Sequence, residues 1–170
     1  MPNVATSVTM KGNPVTLLGK EIQVGDAAPD FSLVANDLSE FKLSTLKGKK
    51  IILSVVPSLD TGICDLQTKR FNQEASKLGD SVKILTISMD LPFAQKRWCG
   101  ATHSDKIVTL SDHRSGAFGE AYGVLIKGLR LLTRSIFIID EKGKIRYKQI
   151  VPEITTEPNY DDALNALKKI

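Results

Sequence analysis

Two cysteines are the residues of this sequence best suited to chemistry, and their surroundings decide which chemistry is open to them. Cys64 and Cys99 lie 35 positions apart, and the sequence has two histidines, His103 and His113. Zinc sites use paired ligands at short spacing, which this arrangement does not offer, so we expect neither a metal ion nor another cofactor. A chain of this size in a reducing compartment does not need a permanent disulfide. A redox or catalytic use of the cysteines is therefore the better interpretation.

Cys64 follows a predicted buried strand and stands in the opening turn of a predicted helix. Residues 51–56 are almost continuously apolar, as in a strand covered on both faces, and helical spacing then runs from Ile63 to Leu78, where Gly79 ends it. Ligands of open α/β sheets bind at this edge, and the unpaired N–H groups of a helix start favour a thiolate. Cys64 is thus predicted to be a reactive thiolate. Taken alone, however, it would be better explained as a small buried hydrophobic residue.

Two residues upstream of Cys64 favour the reactive interpretation. Thr61 could simply cap the helix, but its hydroxyl can also turn toward the sulfur, where it accepts from one group and donates to another. Pro57 could be only a turn residue. Its functional interpretation is that it stiffens the loop and covers the thiolate.

Ionisation of the thiol cannot by itself produce a fast reaction. A thiol with a pKa of about 8.5 is a few per cent ionised at pH 7, so full ionisation gains about thirtyfold, and a lower pKa also weakens the nucleophile. The site must therefore place donors where a substrate oxygen gains charge: the Thr61 hydroxyl, an N–H near Ile63 or Cys64, and one arginine. Among the arginines we prefer Arg134, because it precedes a predicted buried strand that could hold its guanidinium rigidly. The other arginines are Arg70, Arg97, Arg114, Arg130 and Arg146.

The remaining pattern predicts an α/β fold in which a central mixed sheet is flanked by helices. Alternating residues at 8–17 predict an N-terminal β-hairpin that turns at Gly12-Asn13, and residues 82–87 complete a βαβ unit. Further predicted strands are 31–34, 41–43, 107–110, 135–139 and 144–150; further helices are 93–99 after Pro92, 117–122 and 160–170. This order is typical of thioredoxin-like folds. We predict one domain, 1–170, in which residues 1–20 form a hairpin extension.

Composition and charge exclude several other classes of protein. A chain of 170 residues that is 42% hydrophobic can bury one substantial core. Its 23 basic and 19 acidic residues are interspersed, so we expect no nucleic-acid partner. The first residues lack the basic and apolar regions of a secretory signal, and no apolar stretch approaches the ~20 residues of a membrane span. The sequence thus predicts a cytoplasmic protein without membrane contact.

The spacing Pro57-x-x-x-Thr61-x-x-Cys64 resembles that of the peroxiredoxins. Nearly the whole chain is similar to their bacterial thiol peroxidase subgroup, notably in residues 10–15 (Met-Lys-Gly-Asn-Pro-Val), 65–72 (Asp-Leu-Gln-Thr-Lys-Arg-Phe-Asn), 90–95 (Asp-Leu-Pro-Phe-Ala-Gln) and 153–158 (Glu-Ile-Thr-Thr-Glu-Pro). The resemblance implies a thioredoxin fold and an antioxidant enzyme that reduces hydrogen peroxide and alkyl hydroperoxides with electrons from thioredoxin. It also implies a homodimer.

The same resemblance assigns roles to individual residues. It implies that Cys64 is the peroxidatic cysteine, that Cys99 is the resolving cysteine, and that Thr61 and Arg134 activate the peroxide within a site that includes Pro57. In the implied cycle Cys64 becomes a sulfenic acid, with which Cys99 condenses to an intramolecular disulfide. A disulfide needs Cα atoms within about 7 Å. If Cys64 begins one helix and Cys99 ends another, we expect local unwinding around both.

Two other functions share parts of this pattern. A dithiol oxidoreductase of the thioredoxin type would need Cys-x-x-Cys at the helix start, where this sequence has Thr61 in the first position. A non-catalytic interaction module would use the basic surface and would not need Cys64. Trp98 is expected to be a core residue, and His103 and His113 are expected in surface loops.

Overall fold

The structure is a computed structural model that describes residues 2–170, and it begins with short antiparallel strands. These are β1 (Val8–Met10), β2 (Asn13–Val15), β3 (Leu17–Leu18), β4 (Ser32–Val34) and β5 (Glu40–Lys42), followed by a 3-10 helix (Leu43–Leu46). The N-terminal hairpin of β1 and β2 is confirmed, but its predicted turn is wrong by one residue. Lys11 and Gly12 form the turn, both with positive φ, which is the geometry that matches the twist of the flanking strands. Asn13 pairs with Met10 and belongs to β2.

The predicted βαβ unit is confirmed by β6 (Lys50–Val55), α1 (Gly62–Leu78) and β7 (Val82–Ser88). β6 and β7 are parallel neighbours, and β6 is buried from Ile51 to Val55, as expected of a strand covered on both faces. Gly79 ends α1 with a φ of 74°, a conformation that glycine adopts without steric cost. The strand therefore delivers the chain to the start of α1, where Cys64 lies.

The second long helix, α2 (Pro92–Thr102), starts at the predicted proline but continues three residues beyond Cys99. It is followed by β8 (Val108–Ser111), which is parallel to β7. The helix ends where His103 takes a left-handed conformation and donates its N–H to the Cys99 carbonyl. Cys99 thus lies inside the last turns of α2, and not at its end.

The last third of the chain completes the sheet. Its elements are α3 (Ala117–Tyr122), β9 (Leu125–Ile126), β10 (Ser135–Ile139), β11 (Ile145–Ile150) and α4 (Tyr160–Lys168). The predicted hairpin of β10 and β11 is confirmed, and β10 also pairs antiparallel with β6. The seven-stranded sheet has the order β11-β10-β6-β7-β8-β4-β5, while β3 pairs separately with β9. The predicted mixed sheet with flanking helices is therefore confirmed.

Successive residues of the central strands enter two separate hydrophobic cores. Leu53 of β6 packs on the side of α3, whereas Ile52 packs on the side of α1, α2 and α4. Cys64 lies in the second core together with Phe71 and Trp98. Of the helices in the described chain, none has the length and apolar character needed to span a lipid bilayer. One domain with an extension at 1–20 stays a prediction.

Candidate active site

Cys64 is the third residue of α1 and is completely enclosed by protein, with no exposed surface. Its sulfur receives a hydrogen bond from Nη2 of Arg134 at 3.3 Å. Arg134 immediately precedes β10, the strand next to β6, so neighbouring strands place the arginine beside the cysteine. The two residues meet although they are 70 positions apart in the chain.

Arg134 is buried, with 2% of the residue exposed, and three N–H donors of its guanidinium are engaged. Nε donates to the Ile154 carbonyl at 2.8 Å, and Nη1 donates to Oε1 of Gln67 at 3.0 Å. Nη2 donates to Cys64. A guanidinium has five N–H donors, so two remain for an incoming oxygen.

Arg134 forms no ion pair with a carboxylate of residues 2–170. Buried charges in proteins are paired, because leaving an ion unpaired in a medium of low polarity is costly. Instead, the guanidinium donates to two neutral oxygens, those of Ile154 and Gln67, and to the Cys64 sulfur.

Gln67 is a site residue to which the sequence analysis gave no role. It stands one helical turn after Cys64, is fully buried, and accepts from Arg134. Its Nε2 donates to Oγ of Ser54 in β6 at 2.9 Å, which fixes the orientation of the amide. The spacing of three residues from Cys64 places both side chains on one face of α1, and this spacing was the signal available in the sequence.

Thr61 is the residue before α1, but its side chain does not cap the helix. Its hydroxyl donates to the Ser58 carbonyl at 3.0 Å and, within residues 2–170, makes no hydrogen bond to the Cys64 sulfur. Because the hydroxyl hydrogen is directed at Ser58, the oxygen presents its lone pairs as acceptors. The unpaired N–H groups of the first helical turn also remain without a side-chain cap.

The loop between β6 and α1 is held by Asp90, a second residue without a role in the sequence analysis. Oδ1 of Asp90 accepts from Oγ of Ser58 at 2.6 Å, and Oδ2 accepts from the Leu59 N–H at 2.8 Å. Pro57 of this loop is buried, and its role as a cover for the sulfur stays a prediction. Asp90 lies between β7 and α2 and thereby connects the loop to the start of the helix that carries Cys99.

Cys99 is half-buried, and both cysteines are free thiols in this structure. The Cys99 sulfur lies 3.5 Å from Oγ1 of Thr109 in β8. The adjacent Trp98 is confirmed as a core residue, and its indole N–H donates to Oδ1 of Asp65 at 2.9 Å, which connects α2 to α1. The two cysteines therefore lie on neighbouring helices that are joined by a hydrogen bond.

Within residues 2–170, neither histidine ring hydrogen-bonds to a cysteine sulfur. His103 is exposed immediately after α2, whereas His113 is only partly exposed and its Nδ1 lies 2.9 Å from Oγ of Ser111. In the part of the chain that the structure describes, no group of three His, Cys, Asp or Glu side chains is placed to hold a metal ion.

Comparison with known proteins identifies relatives along almost the full length of the chain. The family model described as Redoxin matches residues 23–164. A thiol peroxidase of Bacillus subtilis (strain 168) is 58% identical and covers 96% of this chain and 97% of its own length. A thiol peroxidase of Oceanobacillus iheyensis is 57% identical, with 96% and 99% covered.

Solved structures agree with this relationship. The crystal structure of a peroxiredoxin-like protein from Aquifex aeolicus superimposes with a TM-score of 0.91 at 45% identity and covers 97% of both chains. A thiol peroxidase from Chromobacterium violaceum, at 20% identity and a TM-score of 0.85 over 96% of both chains, shares the fold. From its sequence and its fold, the chain belongs to the redoxin family and, within it, to the thiol peroxidases, which are peroxidase enzymes of the peroxiredoxin type.

Proposed function

We propose that Cys64 is the peroxidatic cysteine and that its thiolate reduces hydrogen peroxide and alkyl hydroperoxides. The thiolate attacks the terminal peroxide oxygen, a sulfur–oxygen bond forms as the oxygen–oxygen bond breaks, and the departing hydroxide or alkoxide takes up a proton. Sulfur loses two electrons and the peroxide gains them, which leaves a Cys64 sulfenic acid and water or an alcohol.

The observation that carries this proposal is the hydrogen bond from the buried Arg134 to the Cys64 sulfur. A buried guanidinium without a carboxylate partner stabilises the thiolate at rest. Its two free N–H donors can also stabilise the negative charge that develops on the peroxide oxygens. Gln67 and Ile154 hold the guanidinium in place, so the donors are arranged before the reaction begins.

We assign complementary roles to Thr61 and to the first turn of α1. The Thr61 oxygen, whose hydrogen is engaged by Ser58, accepts a hydrogen bond from the O–H of the peroxide. The N–H groups of the first turn donate to the oxygen that gains charge. Pro57 shields the sulfur from water, which is consistent with its burial. Peroxide entry requires an opening of the loop at 57–61, because Cys64 has no exposed surface.

Cys99 is proposed to resolve the sulfenic acid. Its thiol attacks the Cys64 sulfur, water leaves, and an intramolecular disulfide forms, which a thioredoxin-type dithiol then reduces by exchange. The position of Cys99 in the last turns of α2 and its partial exposure support this role. Cys64 lies at the start of one helix and Cys99 inside another, so we expect both segments to unwind when the two Cα atoms come within about 7 Å.

We propose a homodimer, because Leu91 and Phe93 at the start of α2 are large apolar residues that are 53% and 66% exposed, and a second copy of the chain could cover them. The interspersed surface charge and the reducing chemistry of the cycle support a cytoplasmic location and argue against a nucleic-acid partner.

Single-turnover and steady-state measurements on two serine variants test the division of labour. Reduced Cys99→Ser protein should consume one equivalent of peroxide rapidly and form a sulfenic acid that a carbon nucleophile traps, but it should lose thioredoxin-coupled turnover. Cys64→Ser should lose both activities. Coupled turnover that survives in Cys64→Ser would refute the proposal, and so would a Cys99→Ser protein that turns over as the wild type does.

A further inference from the structure

The N-terminal hairpin, which the proposed cycle does not use, is attached to the segment that follows β11. The N–H of Thr9 in β1 donates to the Pro152 carbonyl at 2.8 Å, and the Ile154 N–H donates to the Thr9 carbonyl at 2.9 Å. The side chain of Ile154 is 3% exposed and packs in a core with Val8 and Leu17. The hairpin therefore fixes both the backbone and the side chain of Ile154.

The Glu153 carboxylate joins the same two segments. Oε1 accepts from the Gly12 N–H at the hairpin turn at 2.8 Å and from Oγ1 of Thr9 at 3.0 Å. Oε2 accepts from the N–H and the hydroxyl of Thr155 at 2.8 and 2.6 Å. The hydroxyl and N–H of Thr155, followed by the Gly12 N–H, hold the pKa of Glu153 at about 2, so the carboxylate stays charged at neutral pH.

Segment 151–155 also holds Arg134 at two points. The Val151 N–H donates to the Arg134 carbonyl at 3.0 Å, and the Ile154 carbonyl accepts from Nε of Arg134 at 2.8 Å. The Nε bond sets the plane of the guanidinium, because the group is rigid and planar. With Nε fixed, Nη2 points at the Cys64 sulfur. Hydrogen bonds and one stretch of backbone, from Glu153 to Ile154, therefore connect the hairpin turn to the sulfur.

We propose that Glu153 is a positioning residue for the peroxidase reaction. It fastens the hairpin to segment 151–155, and the Ile154 carbonyl in that segment orients Arg134 toward Cys64. The inference rests on the proposed roles of Arg134 and Cys64 and extends them to a residue that touches neither. If Glu153 is lost, Ile154 gains freedom, Arg134 loses its fixed acceptor, and the guanidinium donates to the sulfur and the peroxide for less of the time.

The test is the rate of the first oxidation of the reduced full-length chain, followed by Trp98 fluorescence across a range of pH. Glu153→Ala should slow this step about tenfold and move the rise of the rate to higher pH, since a less well oriented cation favours the thiolate less. Glu153→Gln keeps one acceptor oxygen for the hairpin and should be slowed about threefold. Thr9→Val removes one donor to Glu153 and should fall between wild type and Glu153→Gln. Arg134→Ala should show the largest loss in the rate of the first oxidation.

Glu157→Gln is the matched control, because this exposed carboxylate lies in the same region but accepts from Tyr160 and not from the hairpin. Urea unfolding of each variant identifies any that are globally destabilised. A normal rate and pH profile in both Glu153 variants, beside a slow Arg134→Ala, would overturn the inference and leave the proposed function intact. A normal rate in Arg134→Ala would overturn both. If Glu157→Gln slows the reaction equally and neither substitution changes the pH profile, the effect would come from a general loss of order in this region, which would also overturn the inference.

Discussion

The two cysteines have the same side chain but different surroundings, and the difference fits the two steps that we propose for them. Cys64 is fully enclosed and receives a hydrogen bond from a buried cation that two further partners hold in place. Cys99 is half-buried near the end of a helix, and its sulfur lies beside the neutral Thr109 hydroxyl. A nucleophile that must attack peroxide benefits from fixed charge. A thiol that must travel to its partner benefits from weak contacts.

Arg134→Ala should have the largest effect on Cys64, because it removes the charge that distinguishes the surroundings of Cys64 from those of Cys99. We expect the first oxidation to slow about a hundredfold or more, which is typical of the loss of a donor to a developing negative charge. Stopped-flow fluorescence with excess peroxide measures this rate. Arg146→Ala is the control, since Arg146 is exposed and pairs with Asp140 at 3.3 Å. A loss of less than threefold in Arg134→Ala would mean that the two sulfurs differ for another reason.

Gln67→Leu should make Cys64 less reactive toward peroxide without removing the charge of Arg134. The Nη1 donor of Arg134 would lose its acceptor and the guanidinium would gain freedom, so the first oxidation should slow about tenfold. The same stopped-flow measurement applies. Gln73→Leu is the matched control, because Gln73 lies on the exposed face of the same helix. Equal rates in the two variants would show that the buried amide does not orient Arg134.

Of the two cysteines, Thr109→Val should affect Cys99 alone, although it also removes the hydrogen bond that the Thr109 hydroxyl donates to Oδ1 of Asn36 at 2.9 Å. The hydroxyl contact at 3.5 Å is a weak hydrogen bond between neutral groups, so its loss should speed disulfide formation about twofold to threefold and leave the first oxidation unchanged. The second phase of the fluorescence trace reports disulfide formation. Thr86→Val is the control: Thr86 pairs with Thr109 in the sheet, and in residues 2–170 its buried hydroxyl has no hydrogen-bond partner. Slower disulfide formation in Thr109→Val would contradict the idea that this contact holds Cys99 back.

Asp112 should affect the reactivity of neither cysteine, but it should make the free energy of unfolding depend on pH. Burial raises the pKa of this carboxyl to about 6, although the N–H groups of Gly119 and Phe118 donate to it. In the unfolded chain the pKa of this carboxyl is 3.8, so between pH 4 and 6 the folded chain binds more protons than the unfolded chain. The free energy of unfolding therefore falls as the pH rises through that window.

The free energy of unfolding should fall by on the order of 2 to 3 kcal/mol across this window, and this fall should disappear in Asp112→Asn. Urea unfolding at a series of pH values measures it. Parallel pH dependences of the two proteins would show that Asp112 is not responsible. The oxidation rates of Asp112→Asn at pH 7 should match those of the wild type.

The order along the chain of the seven strands of the main sheet and of the four α-helices could be predicted, because central strands such as β6 and β10 are apolar runs between turn residues. The two-residue strands β3 and β9 were not predicted. Two other local errors have local causes. The hairpin turn shifted by one residue because Lys11, which is not a usual turn residue, takes the left-handed conformation. The helix α2 was predicted three residues too short because Gly100 and Ala101 give no apolar periodicity, although Thr102 continues the helix and donates its hydroxyl to the Trp98 carbonyl.

The site could be predicted in part. Cys64, Thr61 and Pro57 lie in one short segment, and Arg134 could be selected because it precedes a core strand. The partners that hold Arg134 could not be predicted in the same way. Ile154 acts through a backbone carbonyl, which has no sequence signature, and Glu153 meets Gly12 across 141 positions of the chain. Such contacts depend on how separate elements pack, and no local pattern records them.

The absence of a carboxylate partner for Arg134 within residues 2–170 also has a consequence for the reduction potential. When a Cys64 thiolate is converted to a disulfide its sulfur becomes neutral, so the buried guanidinium would lose the negative charge that we propose balances it. Any interaction that stabilises the reduced form of a dithiol pair makes its disulfide a stronger oxidant, by about 30 mV for each factor of ten in the equilibrium constant. In the proposed cycle, the contact that prepares Cys64 for peroxide would therefore also make the resulting disulfide easier for a thioredoxin-type partner to reduce.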